Sequence, residues 1–440
     1  MRRWTFALCL LAATGCSSGA GPSLPSNTTS GSTANQPAIR GLETVLHSFG
    51  GADGAAPIAG MISDGKGGFY GTTIFGGPTG GGAIFALKPS GSDYTESILY
   101  SFAGGQDGDK PWGITERNGT LYGVTFAGGG TGNGGAGWGT VFKLSLAHHR
   151  YQESVLYRFQ GYPDGGEPIG PVVLDRSGNI YGAAAMGGAY SRGAVFQLTP
   201  SSSGYTESVL YSFPGGAGGN LPQAGVTIDK HGIIYGTTMY GGSYDGYCSG
   251  GGCGTVFKLT PTSSGYSESL AYSFKGSDGN LPYAVPAVDD QSGSIYGATF
   301  WGGTQGDGVI YKLTAHGSTY SASVLHSFTG GADGFLPEGQ PLLMSGRRLY
   351  GTAALGGGGC HGIGCGTVFE IRQSGKKYKF RVVTDFRNPL RGAEPEQTNL
   401  LTDGTGALYG TTRSGGTQTS CSDGGPGGAA GCGVVFKIVP

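Results

Sequence analysis

The sequence predicts an all-β protein, a seven-bladed β-propeller with four-stranded blades and a ring closed by the N-terminal strand. The dipeptide Tyr-Gly recurs about every 56 residues, a period typical of stacked supersecondary units. Each repeat contains four short segments rich in Val, Ile, Tyr, Phe and Thr, as strands are. The two ends of the repeat array complement each other. The repeated pairs begin at Tyr70, Tyr122, Tyr181, Tyr235, Tyr296, Tyr350 and Tyr409.

The third repeat shows how one blade is built. Its four strand-like segments are residues 168–175, 178–185, 193–200 and 205–213, and we name such strands A to D from the central channel outward. Along each strand C, Phe and Leu alternate with Val or Ile, so apolar side chains occupy both faces. A blade with two apolar faces must be packed between two others, and the ring is therefore the expected folding unit.

The ends of the array predict how the ring closes. The last repeat stops after its strand C, residues 433–440, whereas an additional D-type strand, residues 42–49, precedes the first repeat. We expect the N-terminal strand to complete the last blade, with residues 44–48 beside residues 434–438. Such closure removes the exposed edges that promote aggregation. The alternative is an open array with a ragged end.

The first residues are typical of a targeting signal and are not expected to belong to the folded domain. Residues 1–16 combine Arg2 and Arg3 with an apolar run, the layout of a signal peptide, and "ATGC" ends in a lipobox-like Cys16. Residues 17–41 form a Ser/Gly/Pro/Thr-rich tether, and the propeller spans residues 42–440. We therefore expect lipidation at Cys16 and an exported lipoprotein held on a membrane, at the outer membrane or cell surface. An ordinary cleaved signal peptide is the alternative.

The amino-acid composition argues against a disordered chain and against a nucleic-acid-binding protein. Glycine accounts for 93 of 440 residues, yet 37% of residues are hydrophobic and 12% charged, a balance opposite to that of disordered chains. The formal net charge is −1 and no basic stripe is present, which argues against a nucleic-acid partner. Six cysteines form local pairs that predict disulfides, although a metal site is the alternative. The predicted pairs are Cys248 with Cys253, Cys360 with Cys365, and Cys421 with Cys432.

The loops between strands D and A carry a repeated aspartate, as in "GGADGAAP". Because D–A and B–C loops emerge on the same rim, these carboxylates could form a ring that holds calcium or a cationic ligand. The alternative is an Asp-Gly turn in which the carboxylate caps backbone N–H groups. The equivalent residues are Asp53, Asp107, Asp164, Asp278 and Asp333.

The B–C loops carry a double glycine, preceded by a position that differs in every repeat. Phe75, Tyr240 and Trp301 occupy this position, and Phe300 is adjacent to it. These aromatic rings could stack on sugars or peptide side chains, or they could pack against the adjacent loop. No nucleophile motif is present and no histidine has metal-ligand spacing to a carboxylate, so we assign no catalytic residue and no metal site.

The phrases "YGTT…GG…GTVFKLTP" and "YTESVLYSF" resemble the tandem repeat of bacterial choice-of-anchor proteins of the GloVer type, from Leu42 to Pro440. The resemblance implies export and surface anchoring, and it transfers no catalytic residue. We expect a monomeric, non-catalytic binding or scaffold propeller whose ligand is a glycan or a protein on the loop rim. The alternative is a secreted propeller enzyme, a lyase or hydrolase acting on polysaccharide.

Overall fold

The computed structural model describes residues 42–130, 132–243, 248, 251–339, 343–345, 348–418, 421 and 430–440. The predicted signal peptide, Cys16 and the tether lie outside these residues. The chain forms seven antiparallel sheets, which confirms the all-β prediction and the number of blades. No helix within the described ranges has the length and apolar character needed to cross a membrane.

The first three complete blades follow the N-terminal strand β1 (Leu42–Ser48). Blade 1 contains β2 (Met61–Ser63), β3 (Phe69–Thr73), β4 (Ala83–Ser90) and β5 (Asp93–Ser101). Blade 2 contains β6 (Asp109–Arg117), β7 (Thr120–Ala127), β8 (Thr140–Ala147) and β9 (Arg150–Arg158). Blade 3 contains β10 (Gly166–Pro168), β11 (Val173–Leu174), β12 (Ile180–Met186), β13 (Ala194–Ser201) and β14 (Gly204–Ser212).

The remaining blades repeat the pattern. Blade 4 contains β15 (Thr227–Ile228), β16 (Ile234–Thr238), β17 (Thr255–Thr262) and β18 (Gly265–Ser273). Blade 5 contains β19 (Asn280–Pro282), β20 (Ala287–Asp289), β21 (Ser294–Trp301), β22 (Val309–His316) and β23 (Thr319–Ser327). Blade 6 contains β24 (Leu343–Ser345), β25 (Arg348–Ala353), β26 (Thr367–Ser374) and β27 (Lys377–Asp385). Blade 7 contains β28 (Leu401–Thr402), β29 (Leu408–Thr412), β30 (Val434–Val439) and β1.

The innermost strand of blade 3 is interrupted, whereas the sequence predicts one continuous strand over residues 168–175. Both β10 and β11 pair with β12, and the ladder is interrupted over residues 170–172 between them. Gly170 in this gap has φ +81°, and a Cβ there would lie 2.3 Å from the backbone nitrogen of Gly225 in the next blade. Crowding of neighbouring blades near the axis therefore breaks the strand.

The closure of the ring is confirmed. Strand β1 pairs with β30 in antiparallel register, with Thr44 opposite Lys437 and Ser48 opposite Val434. The same strand contacts β5 of blade 1, and β28 contacts β2, so the last blade meets the first along both its outer and its inner strands.

One aromatic contact recurs at all seven joints between blades. A buried Phe directly follows each strand D. Its ring meets an aromatic ring of strand C in the next blade. The ring centroids are 5.0–5.4 Å apart at interplanar angles of 61–66°, the edge-to-face geometry that aromatic rings favour. The pairs are Phe49–Phe85, Phe102–Phe142, Phe159–Phe196, Phe213–Phe257, Phe274–Tyr311, Phe328–Phe369 and Phe386–Phe436.

A second contact, on the backbone, recurs at every joint. One residue of each D–A loop has a left-handed φ of 53–60° without being glycine, and a proline follows it. Its N–H donates to a carbonyl of the preceding blade at 2.8–3.3 Å, just before that blade's strand C. The donors are Ala56, Lys110, Glu167, Leu221, Leu281, Leu336 and Glu394. This conformation costs about 1–3 kcal/mol per residue, so the joint must enforce it.

The proline explains one of the recurrent glycines. Its Cδ packs over the glycine that precedes strand C of the preceding blade, where an added Cβ would lie 2.4–2.7 Å from it. At the joint between blades 6 and 7, a Cβ on Gly366 would stand 2.5 Å from Cδ of Pro395 and 2.7 Å from two carbonyl oxygens of its own blade. Only glycine leaves room for the proline.

We predict that Gly366→Ala destabilises the protein more than Gly406→Ala. Both glycines have φ +99°, so both substitutions introduce the same backbone strain, but a Cβ at Gly406 would meet nothing within 4 Å. At Gly366 only, overpacking of the new Cβ against Pro395 lowers the free energy of unfolding by about 1–3 kcal/mol more. Urea unfolding of both variants measures the difference, and equal midpoints would contradict the packing explanation.

Candidate functional site on the loop rim

The D–A and B–C loops meet on one rim, and a backbone bridge joins them in every blade. The variable residue that precedes each double glycine pairs with a D–A loop residue across this bridge. The pairs are Phe75–Ala55, Ala127–Asp109, Met186–Gly166, Tyr240–Asn220, Trp301–Asn280, Leu355–Phe335 and Ser414–Ala393. The sequence therefore varies at a position whose backbone is fixed.

The five predicted aspartates occupy equivalent places in their loops. Each accepts a hydrogen bond from a backbone N–H of its own D–A loop, such as Gly50 N–H to Asp53 Oδ1 at 2.7 Å. Each also bonds a tyrosine or histidine of strand D, as Tyr157 Oη donates to Asp164 at 2.6 Å. Because strand D is the outermost strand, these carboxylates lie at the perimeter of the rim. In the last D–A loop, Asn388 performs the turn-capping role and accepts from Leu390 N–H.

A glutamate on strand D of the next blade faces several of these pairs. Burial, together with the nearby charges of Asp107 and Asp164, respectively, raises the pKa of Glu153 and of Glu207 to about 7. One carboxylate oxygen of each glutamate is buried and accepts no hydrogen bond among the described residues. These joints therefore hold two carboxyl groups close together, and one of them retains its proton up to neutral pH.

Two joints carry histidine in place of the strand-D tyrosine. At the closing joint, His47 Nε2 lies 2.9 Å from Asp53 Oδ2, and Glu96 of blade 1 lies beside them. At the joint between blades 5 and 6, His326 Nε2 lies 3.0 Å from Asp333 Oδ2. The sequence predicted no metal site at the histidines because the groups that meet at the closing joint belong to different blades.

The predicted aromatic residues are less exposed than a stacking surface requires. Phe300 is only 9% exposed and packs edge-on against Trp301, with ring centroids 5.1 Å apart. Phe75, Tyr240 and Trp301 are half-buried and pack against apolar neighbours of the rim.

Among the rim residues that the structure describes, the two most exposed aromatic side chains are ones that sequence reasoning missed. Tyr162 in the D–A loop is 68% exposed, and Tyr190 in the B–C loop of blade 3 is 59% exposed. Gly188 N–H donates to Gly161 O at 3.0 Å, which holds the two loops together beside these tyrosines. The sequence could have indicated them, because both tyrosines lie in loops and do not belong to the repeated phrases.

The residue after each D–A proline points to the mouth of the central channel, and sequence reasoning missed this ring too. Ile58, Trp112 and Ile169 share one apolar cluster although they come from three blades. The next blades contribute polar groups, and Tyr283 Oη donates to Gln223 Oε1 at 3.2 Å. The seven residues, all buried, are Ile58, Trp112, Ile169, Gln223, Tyr283, Glu338 and Glu396.

The polar half of the channel mouth contains charged groups. Arg413 Nη1 donates to Glu396 Oε2 at 2.8 Å, which forms a partly buried ion pair. Burial and the charge of Glu396 hold the pKa of Glu338 well above its usual range, whereas Arg413 and a hydrogen bond from Gln397 oppose the shift. A carboxyl group with a raised pKa therefore stands near a second carboxyl group that pairs with arginine, and paired carboxyl groups also occur in acid–base catalysis.

The three predicted disulfides are present. They join Cys248 to Cys253, Cys360 to Cys365, and Cys421 to Cys432, each within one B–C loop. They cross-link the rim loops locally rather than joining blades, and such bonds persist in oxidising compartments.

The fold and the rim define a disulfide-containing seven-bladed β-propeller built from one tandem repeat. The model of the Gloeobacter/Verrucomicrobia repeat matches residues 28–249 and 246–440, and the chain belongs to this family. No curated protein matches the sequence.

Several solved propellers are similar in fold only. A Bacteroides uniformis protein described as a candidate 6-phosphogluconolactonase is 11% identical with a TM-score of 0.47, over 74% of this chain and 83% of that one. A protein from Lactobacillus plantarum is 10% identical with a TM-score of 0.47, over 75% and 85% of the two chains. A protein of unknown function from Dyadobacter fermentans is 11% identical with a TM-score of 0.40, over 92% and 100%.

We predict that Glu207→Gln makes the protein more stable than the parent chain, and that this gain is larger at pH 8 than at pH 4. The folded state keeps the Glu207 proton up to about pH 7, whereas the unfolded chain loses it near 4.5, so stability falls as pH rises between these values. Glutamine cannot ionise, and since Glu207 is half-buried the expected gain at pH 8 is only about 1 kcal/mol.

Denaturant unfolding at the two pH values measures this gain. Glu116→Gln, at an exposed glutamate, is the control and should change stability equally at both. The prediction fails if Glu207→Gln has the same effect at pH 4 as at pH 8.

Proposed function

We propose that this chain is an exported, surface-anchored and non-catalytic binding propeller whose ligand is a glycan bound on the loop rim. Membership in the repeat family and the three disulfides support a location outside the cytoplasm. The signal-like residues 1–16, with Cys16 as the lipid attachment point and residues 17–41 as a tether, supply the anchor in this proposal.

The observation that carries the proposal is the pair of exposed tyrosines on blade 3. Large aromatic side chains exposed by more than half are ordinary when they are scattered singly, but two of them on adjoining loops mark a candidate interaction site. Tyr162 and Tyr190 are the two such aromatic residues among the described residues, and they flank one backbone hydrogen bond between their loops. A tyrosine offers an apolar ring face and a polar hydroxyl, which suits the alternating apolar and hydroxylated surfaces of a sugar.

The surroundings favour a glycan over a protein ligand. The two loops that carry the tyrosines, "QGYPDGG" and "GGAYSRG", are rich in glycine and contain few apolar side chains, and the net charge of the chain is −1. A protein interface would need a contiguous apolar core, which two tyrosines do not provide. The predicted contributors Tyr240 and Trp301 are half-buried and would act as a supporting platform within the same rim. The repeated aspartates would order the loops.

A second candidate function is a polysaccharide lyase or hydrolase, and the channel mouth favours it. Glu338 with its raised pKa and the Glu396–Arg413 ion pair are groups of the kind that acid–base catalysis uses. The two glutamates are buried, so an enzyme would require the mouth to open for its substrate.

The test uses the purified mature chain on a glycan array, followed by an assay for released reducing ends. We expect glycan binding without turnover, and a loss of affinity of at least about tenfold in Tyr162→Ala and Tyr190→Ala combined, because ring contacts are removed. Leu146→Ala is the control, since Leu146 is 59% exposed at the other end of strand C, on the opposite rim.

Two results would overturn the proposal. The first is affinity that the tyrosine substitutions leave unchanged, or no binding to any glycan. The second is release of reducing ends that Glu338→Gln abolishes, which would establish the enzyme instead.

A further inference from the structure

The closing joint departs from the repeat in a way that no other described joint shares. Strand D carries a tyrosine at Tyr100, Tyr157 and Tyr272, and each bonds the aspartate of the following loop. In blade 7 the equivalent residue is His47, which bonds Asp53. The next blade contributes Glu96, so imidazole and two carboxylates from two blades converge here.

The geometry at this joint is that of a metal-ligand set. One ligand atom from each of His47, Asp53 and Glu96 lies within 4.8 Å of the other two. Ligands of a tetrahedral zinc ion stand about 3.3 Å apart, given bonds of about 2.0–2.1 Å. The 2.9 Å between His47 Nε2 and Asp53 Oδ2 is therefore close to the separation that a shared ion requires.

The three side chains are held in place by other contacts. Asp53 Oδ1 accepts from Gly50 N–H at 2.7 Å, which leaves Oδ2 directed at the histidine. The His47 ring packs edge-on against Phe49, with centroids 4.7 Å apart. Oε1 of Glu96 is buried and accepts no hydrogen bond from the described residues. Such preorganisation by neighbouring groups orients ligands in metal sites.

We propose that His47, Asp53 and Glu96 form a binding site for a divalent transition-metal ion, with zinc as the preferred ion. One imidazole nitrogen and two carboxylate oxygens match zinc ligation, whereas calcium requires six to eight oxygens. The side chains of His47 and Asp53 are 20% and 27% exposed, so water can complete the coordination. The ion would connect the N-terminal strand and its loop to blade 1, across the joint that closes the ring.

The second histidine joint supplies an internal control. His326 and Asp333 have the same mutual geometry, but Phe380 occupies the place of the glutamate. The Phe380 ring stacks on the His326 ring with centroids 3.6 Å apart and planes 9° apart. Among the described residues no third ligand atom completes a set with His326 and Asp333, and the phenyl ring covers the imidazole, so we expect no metal there.

Calorimetry and thermal unfolding of the untagged, EDTA-stripped mature chain test the site, with zinc and calcium chloride as separate probes. We expect one zinc ion per chain, a rise of a few degrees in Tm with zinc, and neither effect with calcium. Cobalt should add visible absorption from its bound imidazole and carboxylates. His47→Tyr, which installs the residue of four other blades, and Glu96→Ala should abolish all of these signals.

His326→Tyr is the matched control and should retain full zinc binding. The metal-free Tm of each variant shows whether it folds, and His47→Tyr is expected to do so because tyrosine already occupies the equivalent position of other blades. Zinc binding that persists in both His47→Tyr and Glu96→Ala, zinc binding lost in His326→Tyr, or no zinc binding by the parent chain would each overturn the site.

Discussion

The edge of one buried phenylalanine against an aromatic ring of the next blade is the contact on which the structure depends. It occurs at every joint, including the closing one, where Phe49 meets Phe85. The receiving ring lies over the glycine of the Tyr-Gly dipeptide, and a Cβ at Gly71 would be 2.4 Å from Cζ of Phe85. The repeat is visible in the sequence because this contact requires an aromatic residue on strand C and a glycine in the Tyr-Gly dipeptide. A single blade cannot bury either ring, so stability belongs to the closed ring.

The joints also determine where the chain is free to vary. The left-handed loop residue, its proline and the facing glycine fix the backbone, and the residues between them carry the differences among blades. The residue after the proline makes one half of the channel mouth apolar, with Trp112, and the other half polar, with Glu338 and Glu396. The backbone is therefore the same from blade to blade, and the differences among blades lie in the side chains of these loops.

Much of the fold could be predicted because each blade repeats it locally. Strand alternation, the double glycines and the cysteine spacing are properties of short segments, and the missing last strand identified Leu42–Ser48 as its replacement. The site was less predictable. Glu338 and Glu396 meet only through the curvature of the ring, and His47 reaches Glu96 only through closure. Leucine rarely adopts a left-handed backbone, so the sequence did not predict the strained conformation of Leu336 at its joint. Burial of Phe300 depended on the neighbouring Trp301, which repeat alignment does not show.

The most direct test of closure compares Phe49→Ala with Phe213→Ala in equilibrium unfolding of the mature chain. Both rings are fully buried and make the same edge-to-face contact at 5.1 Å, one at the closing joint and one between blades 3 and 4. If the N-terminal strand seals the ring, both substitutions lower the free energy of unfolding by a similar amount, about 3–5 kcal/mol, within a single transition. A normal midpoint for Phe49→Ala beside a lowered one for Phe213→Ala would show that the ring is not closed by this strand.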